Sequence, residues 1–177
     1  MIDIIKQALN ILTIVGQAIA VILIITLIFR RRAIVMINFV KRHAILLSFI
    51  VALTATLGSL FYSEIVGYEP CKLCWFQRIF IYPLVFLFGL ALWRREKVII
   101  PYGLVMSAVG FLIAAYHYLL QLGIAPSVNC GVIGYAAACS QRFVMAFGFI
   151  TIPLMSATAF ALIFLLLLIG LRKGSAR

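Results

Sequence analysis

Residues 70–97 read PCKLCWFQRIFIYPLVFLFGLALWRREK: a proline and two cysteines, then an apolar run from about Trp75 to Trp93, then Arg94, Arg95 and Lys97. A bilayer core about 30 Å thick is crossed by about 20 apolar residues in a helix, so this stretch reads as a transmembrane span. Basic residues that flank a span are held on the cytoplasmic side. The cysteines at the other end are therefore expected outside.

Working outward, further apolar runs fall at about 8–29, 44–62, 98–120 and 146–171, with short connections between them. Hydrophobic residues make up 66% of the 177 and charged residues only 11%, which excludes a soluble core and leaves one compact membrane bundle of four or five spans. The net charge of +11 would point to nucleic acid in a soluble protein, but here the charges sit beside spans. Arg30, Arg31, Arg32, Lys41 and Arg42 share one side with Arg94, Arg95 and Lys97 and with Arg172, Lys173 and Arg177, which is eleven of the fifteen basic residues. Asp3, Glu64 and Glu69 fall on the other side. The charge thus encodes topology, and no nucleic-acid partner is expected.

An N-terminal apolar stretch can be a cleaved signal peptide, with Ala18-Ile19-Ala20 as the processing site. The weakly charged start (Lys6 against Asp3), the long apolar run and the stop at three arginines argue instead for a retained helix with its N-terminus outside. A helix lying in the interface is the alternative that Asn10 and Gln17 would favour, opposed by the all-round apolarity from Ala18 to Phe29. Residues 33–40 are too short to span and are expected to extend a helix along the cytoplasmic surface.

All four cysteines then lie outside, where the compartment is oxidising, and two close pairs favour disulfides over a metal site. Cys71 and Cys74 follow Pro70, a residue favoured at the first position of a helix, so the pair is expected in a first helical turn. Free amides and the positive end of the helix dipole favour thiolate there. Arg78 follows Cys74 by four residues and so lies one turn away on the same face.

An arginine facing lipid is costly, so Arg78 is expected to face the bundle interior or a polar ligand, the alternative being a side chain that snorkels to the headgroups. His117, with Tyr116 beside it and Gln121 one turn on, lies at similar depth near the outer end of the fourth span. It reads either as a satisfied interfacial histidine or as part of a site. A metal centre has little to draw on, because the other histidine is His43 on the cytoplasmic side. Haem attachment fails because Trp75 follows Cys74. The second pair, Cys130 and Cys139, encloses eight uncharged residues, 131–138. An exposed disulfide in such a loop is open to thiolate attack, or else is a staple.

The run Pro70-Cys71-Lys72-Leu73-Cys74-Trp75-Phe76-Gln77-Arg78 with Tyr82-Pro83-Leu84 resembles the signature of the disulfide bond formation protein B family, DsbB. Leu57 to Glu64, His117-Tyr118-Leu119-Leu120-Gln121 and Phe147 to Pro153 are further matches, and the short loop is most similar to the BdbC branch. The likeness covers about residues 43–172. It implies an all-α membrane protein: a four-helix transmembrane bundle at 43–177, preceded at 1–42 by an additional N-terminal helix and basic cytoplasmic connection that the family pattern lacks.

The resemblance also implies a function, that of a thiol:quinone oxidoreductase in the bacterial cytoplasmic (inner) membrane, reoxidising a DsbA-like thioredoxin-fold thiol oxidase. A DsbA–DsbB–quinone chain of this kind keeps a bacterial periplasm oxidising. Carried onto this sequence, Cys130 meets the partner's thiolate, Cys139 takes part in resolving the mixed disulfide, and the electrons pass to Cys71 and Cys74. Cys74 then reduces a ubiquinone or menaquinone held by Arg78, His117 and Gln121. Proteins similar to vitamin K epoxide reductase run the same chemistry, but their loop cysteines precede the CxxC pair. A structural or transport protein with stapling disulfides is the rival of a different class.

Overall fold

The computed structural model describes residues 2–29, 34–124, 139 and 144–171. Among these are five helices: α1 (Ile2–Ile28), α2 (Ile34–Leu60), α3 (Lys72–Arg94), α4 (Ile99–Gln121) and α5 (Ile152–Leu171). Each is long and apolar enough to cross a membrane. The protein is an all-α, multi-pass membrane bundle. Cys130, the loop 131–138, Arg30 to Arg32 and the basic tail from Arg172 lie outside the described residues.

Helix α5 is at the centre of the packing, against α4 and α2 on either side, while α3 bridges α2 and α4 to close a four-helix ring. Phe88, Leu84, Phe160, Ile163 and Leu167 fill the middle of that ring and are fully buried. Lipid tails are as apolar as leucine, so helices in a membrane associate through close packing of small residues. Gly103 and Gly110 serve this on α4: a Cβ at Gly103 would stand 2.7 Å from Leu167 and 2.9 Å from Phe88, and one at Gly110 would collide with the ring of Phe160. Helix α1 lies outside the ring, chiefly against α5. Gly16 meets Leu162 and Thr158, and Leu23 joins Leu162, Leu166 and Val40 of α2 in a second apolar cluster.

Residues 34–40 extend a helix, running unbroken into the second span because neither glycine nor proline interrupts the chain between Ile34 and Leu57. Two boundaries differ from the sequence reading. Helix α5 starts at Ile152 rather than near residue 146 because Phe147 and Gly148 adopt left-handed conformations (φ 53° and 80°) that turn the chain and pair Ala146 with Ile150. Pro70 precedes the helix cap instead of opening the helix: Cys71 is the extended N-cap residue (φ −71°, ψ 171°) and Lys72 the first helical one. The cysteine pair nonetheless brackets the first turn. At the same end of the bundle, α2 widens into a π-helical turn at Phe61–Ile65, a distortion that recurs at functional sites.

Candidate functional site: a buried dithiol beside a membrane cavity

The N-cap position puts Cys71 Sγ over the start of α3 and Cys74 one turn along it, with the sulfurs 3.3 Å apart and unbonded. Cys71 donates to Cys74. The Cys71 thiol is pushed up to about 12, first because its proton is shared with Cys74 and then by burial, with His117 pulling in the opposite direction. Proton sharing of this kind divides the labour between two chemically identical residues: Cys71 keeps the proton, and Cys74 accepts it at the dipole end of the helix.

His117 binds the two halves of the site together. Its Nδ1 lies 3.0 Å from Gln77 Nε2, and its Nε2 lies 3.1 Å from the carbonyl oxygen of Cys139 and 3.6 Å from Cys71 Sγ. With the Gln77 amide nitrogen donating to Nδ1, the ring proton belongs on Nε2 and is donated to Cys139. Cys139 is buried against Cys71 and Leu120, with Leu73, Cys74 and Tyr116 around them. A residue from the second cysteine segment thus rests on the first pair. The Cys71, Cys74 and His117 ligand atoms all lie within 4.8 Å of one another, a spacing that a thiophilic metal ion would tolerate. In this network both ring nitrogens are engaged in hydrogen bonds, which favours thiol exchange over ligation.

Arg78 is buried and points from α3 to α2, donating through Nε to Ser59 Oγ at 3.0 Å and through Nη2 to the Ser59 carbonyl at 3.1 Å. Its guanidinium also stacks over Trp75, 5.2 Å from the ring centroid. Tyr82 donates to the same Ser59 hydroxyl at 3.5 Å. These partners are neutral, so the cation stays uncompensated among them. It faces a cavity of about 280 Å³ whose wall includes Cys74, Gln77, Arg78 and Ser59 at the polar end and mostly apolar side chains of α1, α2 and α5 elsewhere. A dithiol, a fixed cation and an apolar space of small-molecule size thus adjoin one another, which is the equipment for passing electrons from sulfur to an apolar acceptor.

Of the residues singled out from sequence, Cys71, Cys74, Arg78, His117 and Cys139 come together at this end of the bundle. His117 stands behind Gln77 and does not line the cavity, and neither does Gln121, which is buried one turn further along α4. Cys130 lies outside the described residues. Gln77 and Ser59 were not singled out, although Gln77 sits three residues after Cys74 on one helix face. No local pattern marks Ser59, because its role depends on α2 packing against α3.

A helical membrane bundle with a buried CxxC dithiol and a docked third cysteine defines a membrane thiol–disulfide protein. The family model described as disulfide bond formation protein DsbB matches residues 41–170, and the chain belongs to that family. It is 44% identical over 128 residues to a probable disulfide formation protein of Oceanobacillus iheyensis, covering 72% of this chain and 88% of that one. To disulfide bond formation protein C of Bacillus subtilis it is 43% identical over 121 residues, 66% of this chain and 83% of the relative. The probable disulfide formation protein C of Halalkalibacterium halodurans is 40% identical over 131 residues, 71% and 91% of the two chains. No solved structure matches. The chain is thus a disulfide-forming membrane oxidoreductase of the DsbB type.

Proposed function

We propose that this protein regenerates an extracytoplasmic, DsbA-like thiol oxidase and delivers the electrons to a quinone of the surrounding membrane, ubiquinone or menaquinone. The observation that carries the reading is the shared wall: Cys74 and Arg78 border one cavity within the membrane bundle. The basic connections at the far end of the helices favour a cytoplasmic membrane location with the cysteine end outward.

The exchange proceeds by thiolate attack, with bonds and protons conserved at each step. The partner's thiolate attacks Cys130 of a Cys130–Cys139 disulfide and releases Cys139 as thiolate. The partner's second thiol then displaces Cys130, leaving the partner oxidised and the loop pair reduced. Cys139, held against Cys71 through the His117 hydrogen bond, is placed for exchange with a Cys71–Cys74 disulfide, which reforms the loop disulfide and leaves Cys71 and Cys74 as the dithiol. A quinone bound in the cavity supplies the oxidising power, taking up two electrons and two protons as that dithiol returns to a disulfide. Arg78 provides fixed positive charge where negative charge develops, an arrangement worth a few kcal/mol where water is excluded. Gln77 holds the His117 ring, and the buried thiol of Cys71 retains a proton beside Cys74.

The test is anaerobic stopped-flow reduction of several quinones by the purified protein and a reduced thioredoxin-like partner. Quinone loss should match partner oxidation one to one and should vanish in Cys74→Ala and Cys130→Ala. Unchanged turnover in either variant would remove the assigned roles.

A further inference from the structure

The family match begins at residue 41, yet part of the cavity wall comes from before it. Leu9, Leu12, Thr13, Val15, Gly16 and Ile19 of α1 all border the same space as Cys74 and Arg78. They recur at helical spacing, so one stripe of α1 faces the site over about 15 Å of helix. Thr13 and Gly16 are the buried centre of that stripe, and the Thr13 hydroxyl is satisfied within α1 by the Leu9 carbonyl at 2.8 Å. Gly16 lets α1 approach α5 closely, since a Cβ there would already be 3.2 Å from both Leu162 and Thr158.

Against α2 the contact is different. Leu9 meets Gly58 near the cysteine end, but further along, Leu12, Val15 and Ile19 on α1 and Ile50 on α2 border the cavity while remaining about half exposed. Side chains that line a cavity and also face outward in a membrane span are the lips of a lateral opening. Its outer surroundings are lipid, and its inner end carries the polar groups Arg78, Gln77 and Cys74, with the exposed Glu69 at the rim toward the cysteine end.

We propose that α1 is an added wall of the quinone pocket, and that the gap between α1 and α2 is the port through which an isoprenoid tail lies out into the bilayer. The inference rests on the quinone reading and adds to it the pocket's selectivity. The four-helix ring alone would leave the α2–α5 face of this space open to lipid. With α1 in place the head group is confined beside Arg78, and the tail has one direction in which to leave.

Binding is read by quenching of Trp75 fluorescence in a Trp93→Phe background, titrating a decyl-substituted benzoquinone and a long-tailed isoprenoid quinone with the same head group. Thr13→Phe, which fills the wall, should weaken both by about tenfold or more, the scale expected for overfilling a packed site. Leu12→Phe, at the lip, should weaken the long-tailed quinone more than the short one. Ile11→Phe, on an exposed part of α1 that does not border the cavity, should bind both as the parent does. Folding of each variant is checked by thermal unfolding in detergent micelles and by anaerobic thiol exchange with the reduced partner in the absence of quinone. If both cavity-facing variants bind the two quinones like the parent, the α1 wall is refuted and the quinone reading stands. If the parent itself neither binds nor reduces any quinone, both fall together.

Discussion

His117 Nε2 lies 3.1 Å from the carbonyl oxygen of Cys139, so a histidine of a membrane helix holds the backbone of a cysteine from the second cysteine segment. Exchange between disulfides requires the attacking sulfur to reach its target, and a buried hydrogen bond of this kind contributes on the order of 1 kcal/mol to that placement. His117→Ala should therefore slow transfer between the two pairs by about fivefold while leaving the first attack on the loop pair unchanged. Rapid acid quench and mass mapping of disulfides resolve the two steps. Equal slowing of both, or of neither, would contradict the placement.

Arg78 reaches Ser59 through two hydrogen bonds, which fix the guanidinium at the cavity wall. Arg78→Ala removes both the charge and its orientation, and should raise the apparent KM for quinone by about 10- to 100-fold, the range of a charge-assisted hydrogen bond. Arg78→Lys keeps the charge but loses the planar fork and should fall between the parent and the alanine variant. Ser59→Ala loses only the Oγ acceptor, since the backbone carbonyl remains, and should raise KM by roughly fivefold. A loss of protein from the membrane with unchanged KM would instead give Arg78 a role in insertion.

The spans, their order and the clustering of Cys71, Cys74 and Arg78 were legible in the chain because each depends on local spacing: apolar runs of membrane length, and residues one helical turn apart. The partners of those residues were not. Ser59 reaches Arg78 only because α2 packs against α3, and Gln77 is fixed by a histidine forty residues away on α4. The contribution of α1 was hidden for the same reason. Leu9, Thr13 and Gly16 look like any apolar helix face until α5 brings them beside the cavity. Hydropathy places the start of α5 too early, because a left-handed turn at Phe147 and Gly148 decides that boundary.

Gly110 allows α4 to press directly on Phe160, which is fully buried at the middle of the ring. A methyl group at this position would overlap the Phe160 ring, which is fully buried and so has little room to move. Gly110→Ala should destabilise the bundle by about 1–3 kcal/mol, seen as earlier thermal unfolding in detergent micelles. Gly89→Ala is the matched comparison: its Cβ would stand 3.4 Å from Phe49, an ordinary contact, so its unfolding should stay close to that of the parent. Equal unfolding of the two variants would show that α4 and α5 are less tightly packed than this.

Cys71 and Cys74 differ in proton affinity and in access, and alkylation of the reduced protein should separate them. Cys71 is buried, and with its thiol pushed up to about 12 it stays protonated at neutral and mildly alkaline pH. Thiolate is the reacting form, so labelling of Cys71 should be slow and should rise about tenfold for each unit of pH. Cys74 is partly accessible and accepts the Cys71 proton, and should take iodoacetamide first. Peptide mass mapping after short exposures reads the order directly. Removing the donor with Cys71→Ala should slow Cys74 labelling at neutral pH, whereas Lys72→Ala, one residue along but outside the sulfur pair, should not. Prior labelling of Cys71 in the parent would reverse the roles of the two sulfurs, and the cavity would then adjoin the wrong one.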